Sequence, residues 1–139
     1  MKVAVSACLL GRNCKYNGGN NYNQKTIDFL MDKEVVEVCP ESAAGLGIPR
    51  IPIEIVNGEV MDRNGKSVDR QLRVAVADLV LRLKEEQVDC AILKSRSPTC
   101  GVKQVYDGTF SGTLVSGMGV LAQALQDAGI RVIDVEDLV

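Results

Sequence analysis

Five cysteines and no histidine set the chemistry open to this 139-residue chain. Without imidazole there is no Ser-His-Asp triad, no histidine general base, no two-histidine iron site and no mixed Cys/His zinc site. What is left is the thiols of Cys8, Cys14, Cys39, Cys90 and Cys100, with carboxylates, hydroxyls, Lys, Arg and Tyr. Cys8, Cys39 and Cys100 each come after a short apolar, β-branched run: KVAVS, VVEV and DCAIL. Three thiolates without a fourth suit an iron–sulfur cluster with one iron free of cysteine, or a zinc ion with one open position. The plain alternative is three small buried side chains, since free cysteine is among the most buried residue types.

Glu41 lies two residues after Cys39, and Ser97 lies three before Cys100. Beside a converged cysteine cluster, a carboxylate can move a proton or activate water, and a hydroxyl can hold a substrate oxygen, nitrogen or sulfur. Their ordinary readings are a solvated loop charge for Glu41 and a turn with Pro98 for Ser97. Cys90 falls inside the run DCAIL and reads as a small buried hydrophobe, while Cys14, in the loop six positions beyond Cys8, could approach the site but reads better as a passive loop thiol.

Positioning three dispersed cysteines requires strands that end on one side. Lys2 to Ser6 predicts a buried strand, followed by a Gly- and Asn-rich loop over Gly11 to Asn23. A modest helix follows from Asn23 to Lys33, with Asn23 as cap and Ile27, Leu30 and Met31 at helical spacing. The next strand stops at Cys39, because Pro40 cannot donate to a ladder and restricts the residue before it. A hairpin is expected from Ile51 to Val56 and Glu59 to Asp62 around Asn57-Gly58. The clearest helix runs from about Ser67 to Glu86, with Val68, Leu72, Ala75, Val76, Leu79 and Leu83 in one stripe. Then come the strand Asp89 to Leu93, a helix from about Met118 to Ala128 stopped by Gly129, and a last strand, Arg131 to Val135. Strands alternating with helices predict one α/β domain over residues 1–139, with a largely parallel sheet and one inserted β-hairpin. In such a sheet, ligands bind outside the carboxyl ends of the strands, where loops converge at a switch in strand order. Cys8, Cys39 and Cys100 occupy that kind of position.

Composition agrees with one ordinary domain, at 46% hydrophobic, 24% charged and 4% aromatic residues. A chain of this size buries roughly 68–70% of its unfolded surface, so a bound metal is expected to be functional rather than needed for folding. The net charge of −2, without a long run of like charges, argues against capture of polymeric nucleic acid. Val5-Ser6-Ala7-Cys8 resembles a lipoprotein cleavage site, but too few residues precede it for an apolar signal core of about 7–15 residues. No stretch approaches the ~20 apolar residues of a membrane helix. The odd cysteine count without any C-x-x-C pair reads as a reducing, cytoplasmic setting.

Gly117 to Ala122 fits G-x-G-x-x-A, yet no convincing strand precedes it. Its glycines are expected to permit a tight loop and an exposed helix N-terminus.

Taken together, Ser6-Ala7-Cys8-Leu9-Leu10-Gly11, Lys15-Tyr16-Asn17-Gly18, Cys39-Pro40-Glu41 with Pro49-Arg50, Leu93 to Gly101 (LKSRSPTCG), Tyr106 to Gly112 (YDGTFSG) and Gly117 to Val120 resemble the family labelled domain of unknown function 523. Its characterised members are thiouracil desulfidases, and the resemblance spans nearly the whole chain in a short, stand-alone form. It implies a Rossmann-like domain and a [4Fe-4S] cluster held by Cys8, Cys39 and Cys100. It further implies non-redox removal of sulfur from a small thiolated nucleobase such as 2-thiouracil, with the cysteine-free iron binding the substrate sulfur. Glu41 and Ser97 would be the acidic and hydroxyl catalytic groups. Two other readings use the same thiols: a zinc- or sulfur-binding protein without this activity, and a metal-free thiol domain.

Overall fold

The computed structural model describes residues 1–138. Four parallel strands form the main sheet: β1 (Lys2–Ser6), β2 (Glu34–Val38), β5 (Cys90–Leu93) and β8 (Arg131–Asp134), in the order β2-β1-β5-β8. From β1 the chain turns outward to β2, and from β5 it turns the opposite way to β8. The switch in strand direction therefore lies between the carboxyl ends of β1 and β5.

Alternation along the strands divides the core in two. Ala4, Ala91 and Leu93 face a layer built on α3 (Asp69–Glu85) and α4 (Val120–Asp127), where Leu72, Leu83, Leu121 and Leu125 are fully buried. Val3, Val5, Cys90 and Ile92 face the other way, onto Leu9, Leu30 and Val135. Each fully buried Leu contributes about 1.5–3 kcal/mol relative to exposure. The α3 stripe is as expected: Leu72, Ala75, Val76 and Leu83 are buried, and Leu79 packs against them. Cys90 sits in the core as expected, 5% exposed.

Local chemistry explains most of the other boundaries. Asn23 caps α1 (Gln24–Leu30), its Oδ1 accepting from Thr26 N at 2.9 Å. That helix stops at Leu30, short of the expected Lys33, and Met31 is exposed rather than on its apolar face. After β2, Pro40 occupies the first turn of a short helix, α2 (Pro40–Ala43), where its missing N–H has no partner to lose. The expected hairpin forms from β3 (Ile53–Val56) and β4 (Glu59–Asp62), paired antiparallel.

The sequence reading counted one hairpin, and there are two. β6 (Gln104–Tyr106) and β7 (Leu114–Ser116) pair within the stretch read as Gly- and Ser-rich loop. Glu54 of β3 anchors this second hairpin, its buried carboxylate accepting from Gly108 N at 3.0 Å and Phe110 N at 3.2 Å.

The glycine motif before α4 also differs from expectation. Its helix N-terminus is not exposed. Val120 N donates to Pro98 O at 2.9 Å, Leu121 N to Thr99 O at 2.8 Å, and Gly119 N to Gly101 O at 2.8 Å. The free N–H groups of α4 thus hold the loop that carries Cys100. Gly119 permits the approach: a Cβ there would lie 2.5 Å from the Thr99 carbonyl and 2.9 Å from Cys100 N. At Gly117 the nearest atom would be a Val105 methyl at 3.2 Å. Gly119→Ala is therefore expected to lower stability by about 1–3 kcal/mol, and Gly117→Ala by less. Urea denaturation of both variants checks the order, and a Gly119→Ala protein as stable as the parent would contradict the docking.

Candidate active site

A cavity of about 420 Å³ opens at the carboxyl ends of β1, β2 and β5, and Cys8, Cys39, Cys100, Glu41 and Ser97 all line it. The topology that suggested convergence thus delivers it. Cys8 sits in a single 3-10 turn, Ala7–Leu10, that ends at Gly11 with φ 93°. Cys39 is the cap residue of α2, its S–H donating to Ser42 Oγ at 3.2 Å. Cys100 is held by the α4 N-terminus from one side and by the Ser97 turn from the other.

The sulfurs are close enough to influence one another. Burial raises the Cys8 thiol above its ordinary value; Asn21 and Lys94 pull it down, and the charges of Cys39 and Glu41 push it up. Burial drives the Cys100 thiol up to about 12, with Ser6 and Thr99 opposing and Glu41 and Cys8 adding to the rise. These thiols are protonated at neutral pH, so taking up a metal releases protons. Among the described residues, no three Cys, Asp or Glu side chains converge on a single-ion position. Cys8, Cys39 and Cys100 share the lining of one cavity, and cysteine thiolates are the donors that iron–sulfur groups take.

Cys14 was read as a passive loop thiol, and the fold carries it to the same wall. Burial, then the neighbouring Cys39 thiol, raise it to about 12. Nothing local in the sequence announces this, because it depends on how the Gly11 to Asn23 loop folds back. Asn21 N donates to Cys8 O and Asn23 N to Leu9 O, both at 3.0 Å, closing that loop onto the Cys8 turn.

Glu41 is no solvated loop charge. Its Oε2 accepts from Arg50 Nη2 at 2.9 Å, with side chains 18% and 6% exposed respectively. Arg50 also donates to Cys14 O at 2.9 Å and to Gly47 O at 3.0 Å. One guanidinium therefore fixes the carboxylate relative to two loops, a task suited to its planar set of donors. Sequence reasoning quoted Arg50 within a motif but gave it no role, since a loop arginine between prolines has no periodicity to betray burial.

Ser97 does what its ordinary reading proposed and also lines the cavity. Its Oγ accepts from Thr99 N and Cys100 N, both at 3.1 Å, and lies 2.9 Å from Thr99 Oγ1. Both lone pairs accept from backbone donors, so the contact with Thr99 Oγ1 takes the Ser97 proton, and that proton reaches a ligand only by leaving Thr99.

A family model described as 2-thiouracil desulfurase matches residues 3–137. The chain is 35% identical over 146 residues to the uncharacterised protein YbbK of Bacillus subtilis strain 168, across 98% of this chain and 97% of that one. Among solved structures, a [4Fe-4S]-dependent thiouracil desulfidase, TudS, matches with a TM-score of 0.92 and 31% identity, over 99% of this chain and 92% of that one. With sequence family, relative and solved fold agreeing along nearly its whole length, this chain belongs to the 2-thiouracil desulfurase family.

Proposed function

We propose that residues 1–139 form one catalytic domain, an iron–sulfur-dependent desulfidase that removes sulfur from a thiolated pyrimidine such as 2-thiouracil. The observation that carries this reading is the meeting of Cys8, Cys39 and Cys100 with one restrained carboxylate, Glu41, around a single cavity. The desulfidase activity named for its structural relative supports it. Free thiols throughout are compatible with a reducing compartment such as the cytoplasm.

Replacing a C=S group by C=O consumes one water and releases hydrogen sulfide. The C–S bond breaks, a C–O bond forms, and nothing is oxidised or reduced. Cys8, Cys39 and Cys100 would hold a [4Fe-4S] cluster. When bound, that group supplies a soft Lewis acid for sulfur at the iron without a cysteine.

The remaining work falls to the chain. Glu41 accepts a proton from water and returns one to the departing sulfur, its reach set by Arg50. Ser97 turns its hydroxyl proton from Thr99 Oγ1 to a ring oxygen or nitrogen while the backbone bonds it accepts keep the Cys100 turn in shape. The half-buried position of Glu41 limits competing water, which strengthens its interactions inside the cavity.

Reconstitution under anaerobic conditions with iron and sulfide is expected to give a visible cluster band and stoichiometric acid-labile sulfide. Cys8→Ala, Cys39→Ala and Cys100→Ala should each abolish it, and Cys90→Ala should not. Zinc alone in the purified protein, with no iron taken up, would favour the zinc-binding reading. Glu41→Gln is expected to keep the cluster band while turnover of 2-thiouracil falls about 10²–10⁴-fold. Near-normal turnover would remove Glu41 from the chemistry.

A further inference from the structure

Among the described residues, two buried side-chain nitrogens lack any hydrogen-bond acceptor: Asn21 Nδ2 and Arg96 Nε. Both residues line the thiol cavity. Buried donors in folded proteins are nearly always paired, so each calls for a partner that belongs to the working molecule. Arg96 is partly satisfied elsewhere, its Nη2 reaching Glu136 at 2.8 Å on the surface. The Asn21 amide nitrogen has no such outlet.

Asn21 is held firmly. Its backbone N–H bonds Cys8 O at 3.0 Å, and two residues on, Asn23 N bonds Leu9 O at 3.0 Å before Asn23 caps α1. The side chain therefore starts from a fixed point beside the Cys8 turn. Its amide favours the thiolate form of Cys8 over the thiol. A neutral thiol is a poor acceptor, whereas an iron-bound thiolate is a good one.

We propose that Asn21 is a positioning residue for the cluster, its side-chain N–H donating to the Cys8 sulfur once that sulfur is an iron-bound thiolate. The inference rests on the cluster reading above and adds to it a residue that acts through the Cys8 ligand. An N–H donor withdraws electron density from a ligating sulfur, which stabilises the more negative, reduced cluster and raises its reduction potential. The same bond resists loss of the Cys8 ligand, so it favours retention of the cluster even though the overall reaction involves no electron transfer.

The test uses the reconstituted protein beside Asn21→Leu, which has similar size and no donor, and Asn21→Asp, which keeps the shape and replaces the donor with a charge. Redox titration followed by electron paramagnetic resonance should show a lower reduction potential for Asn21→Leu, and a lower one still for Asn21→Asp. The visible band should also bleach several-fold faster with an iron chelator in both. A variant that folds by circular dichroism yet keeps no cluster is the extreme of that loss and supports the proposal. Wild-type potential and wild-type bleaching in either loaded variant would overturn it while leaving the desulfidase reading intact. Failure of the parent protein to take up any cluster would overturn both.

Discussion

Parallel pairing of β1 with β2 on one side and β5 on the other is the constraint from which the rest follows. Parallel strands place their carboxyl ends on a common edge, and the register sets Ser6 opposite Val38 and Val5 opposite Ile92. The residues that leave those strands, Cys8, Cys39 and the Cys100 loop, must then emerge side by side. The sheet can hold that register because both faces are buried; a one-residue slip would send Val3, Val5 and Ile92 into the wrong layer. Convergence of the thiols is thus a by-product of core packing, and the site inherits the stability of the sheet.

Loops beyond the strand ends need separate restraint, because backbone outside a ladder has no built-in partners. Three devices supply it. The α4 N-terminus donates its N–H groups to the carbonyls of the Cys100 loop. Arg50 ties the Cys14 and Gly47 loops to Glu41. Glu54 ties the second hairpin to the first across the cavity mouth. Arg50 and Glu41 are a mostly buried ion pair, so removing either partner alone leaves a desolvated charge, a costlier change than losing a surface bridge such as Arg82 with Glu86.

Much of this was legible in the sequence where a single local rule governs. The runs KVAVS and VVEV, the α3 stripe and the Asn23 cap each follow from periodicity or capping chemistry within a few residues. The convergence of Cys8, Cys39 and Cys100 followed from strand order alone. The second hairpin was not legible, because β6 and β7 are three residues each and Asp107 to Thr113 between them looks like any polar loop. It is anchored by Glu54, 54 positions before Gly108. The role of Arg50 was hidden for the same reason, and the approach of Cys14 was legible only as the weaker of two readings, since both are tertiary facts about loops.

The protonation of the thiols connects the fold to the chemistry. A core that buries Leu72, Leu83, Leu121 and Leu125 completely does not need metal to stand, so the protein can fold with its thiols neutral. Burial then works in two directions. It raises Cys8 and Cys100, holding both as thiols near neutral pH, and it makes any charge-compensating contact more effective once thiolates form. Asn21 and Lys94 beside Cys8, and Ser6 and Thr99 beside Cys100, are the groups that oppose the rise. They gain most when sulfur becomes anionic and least when it is a thiol. The fold therefore favours, at Cys8 and Cys100, ligands that take the sulfur as thiolate, and a cationic metal group satisfies that demand where an uncharged ligand cannot.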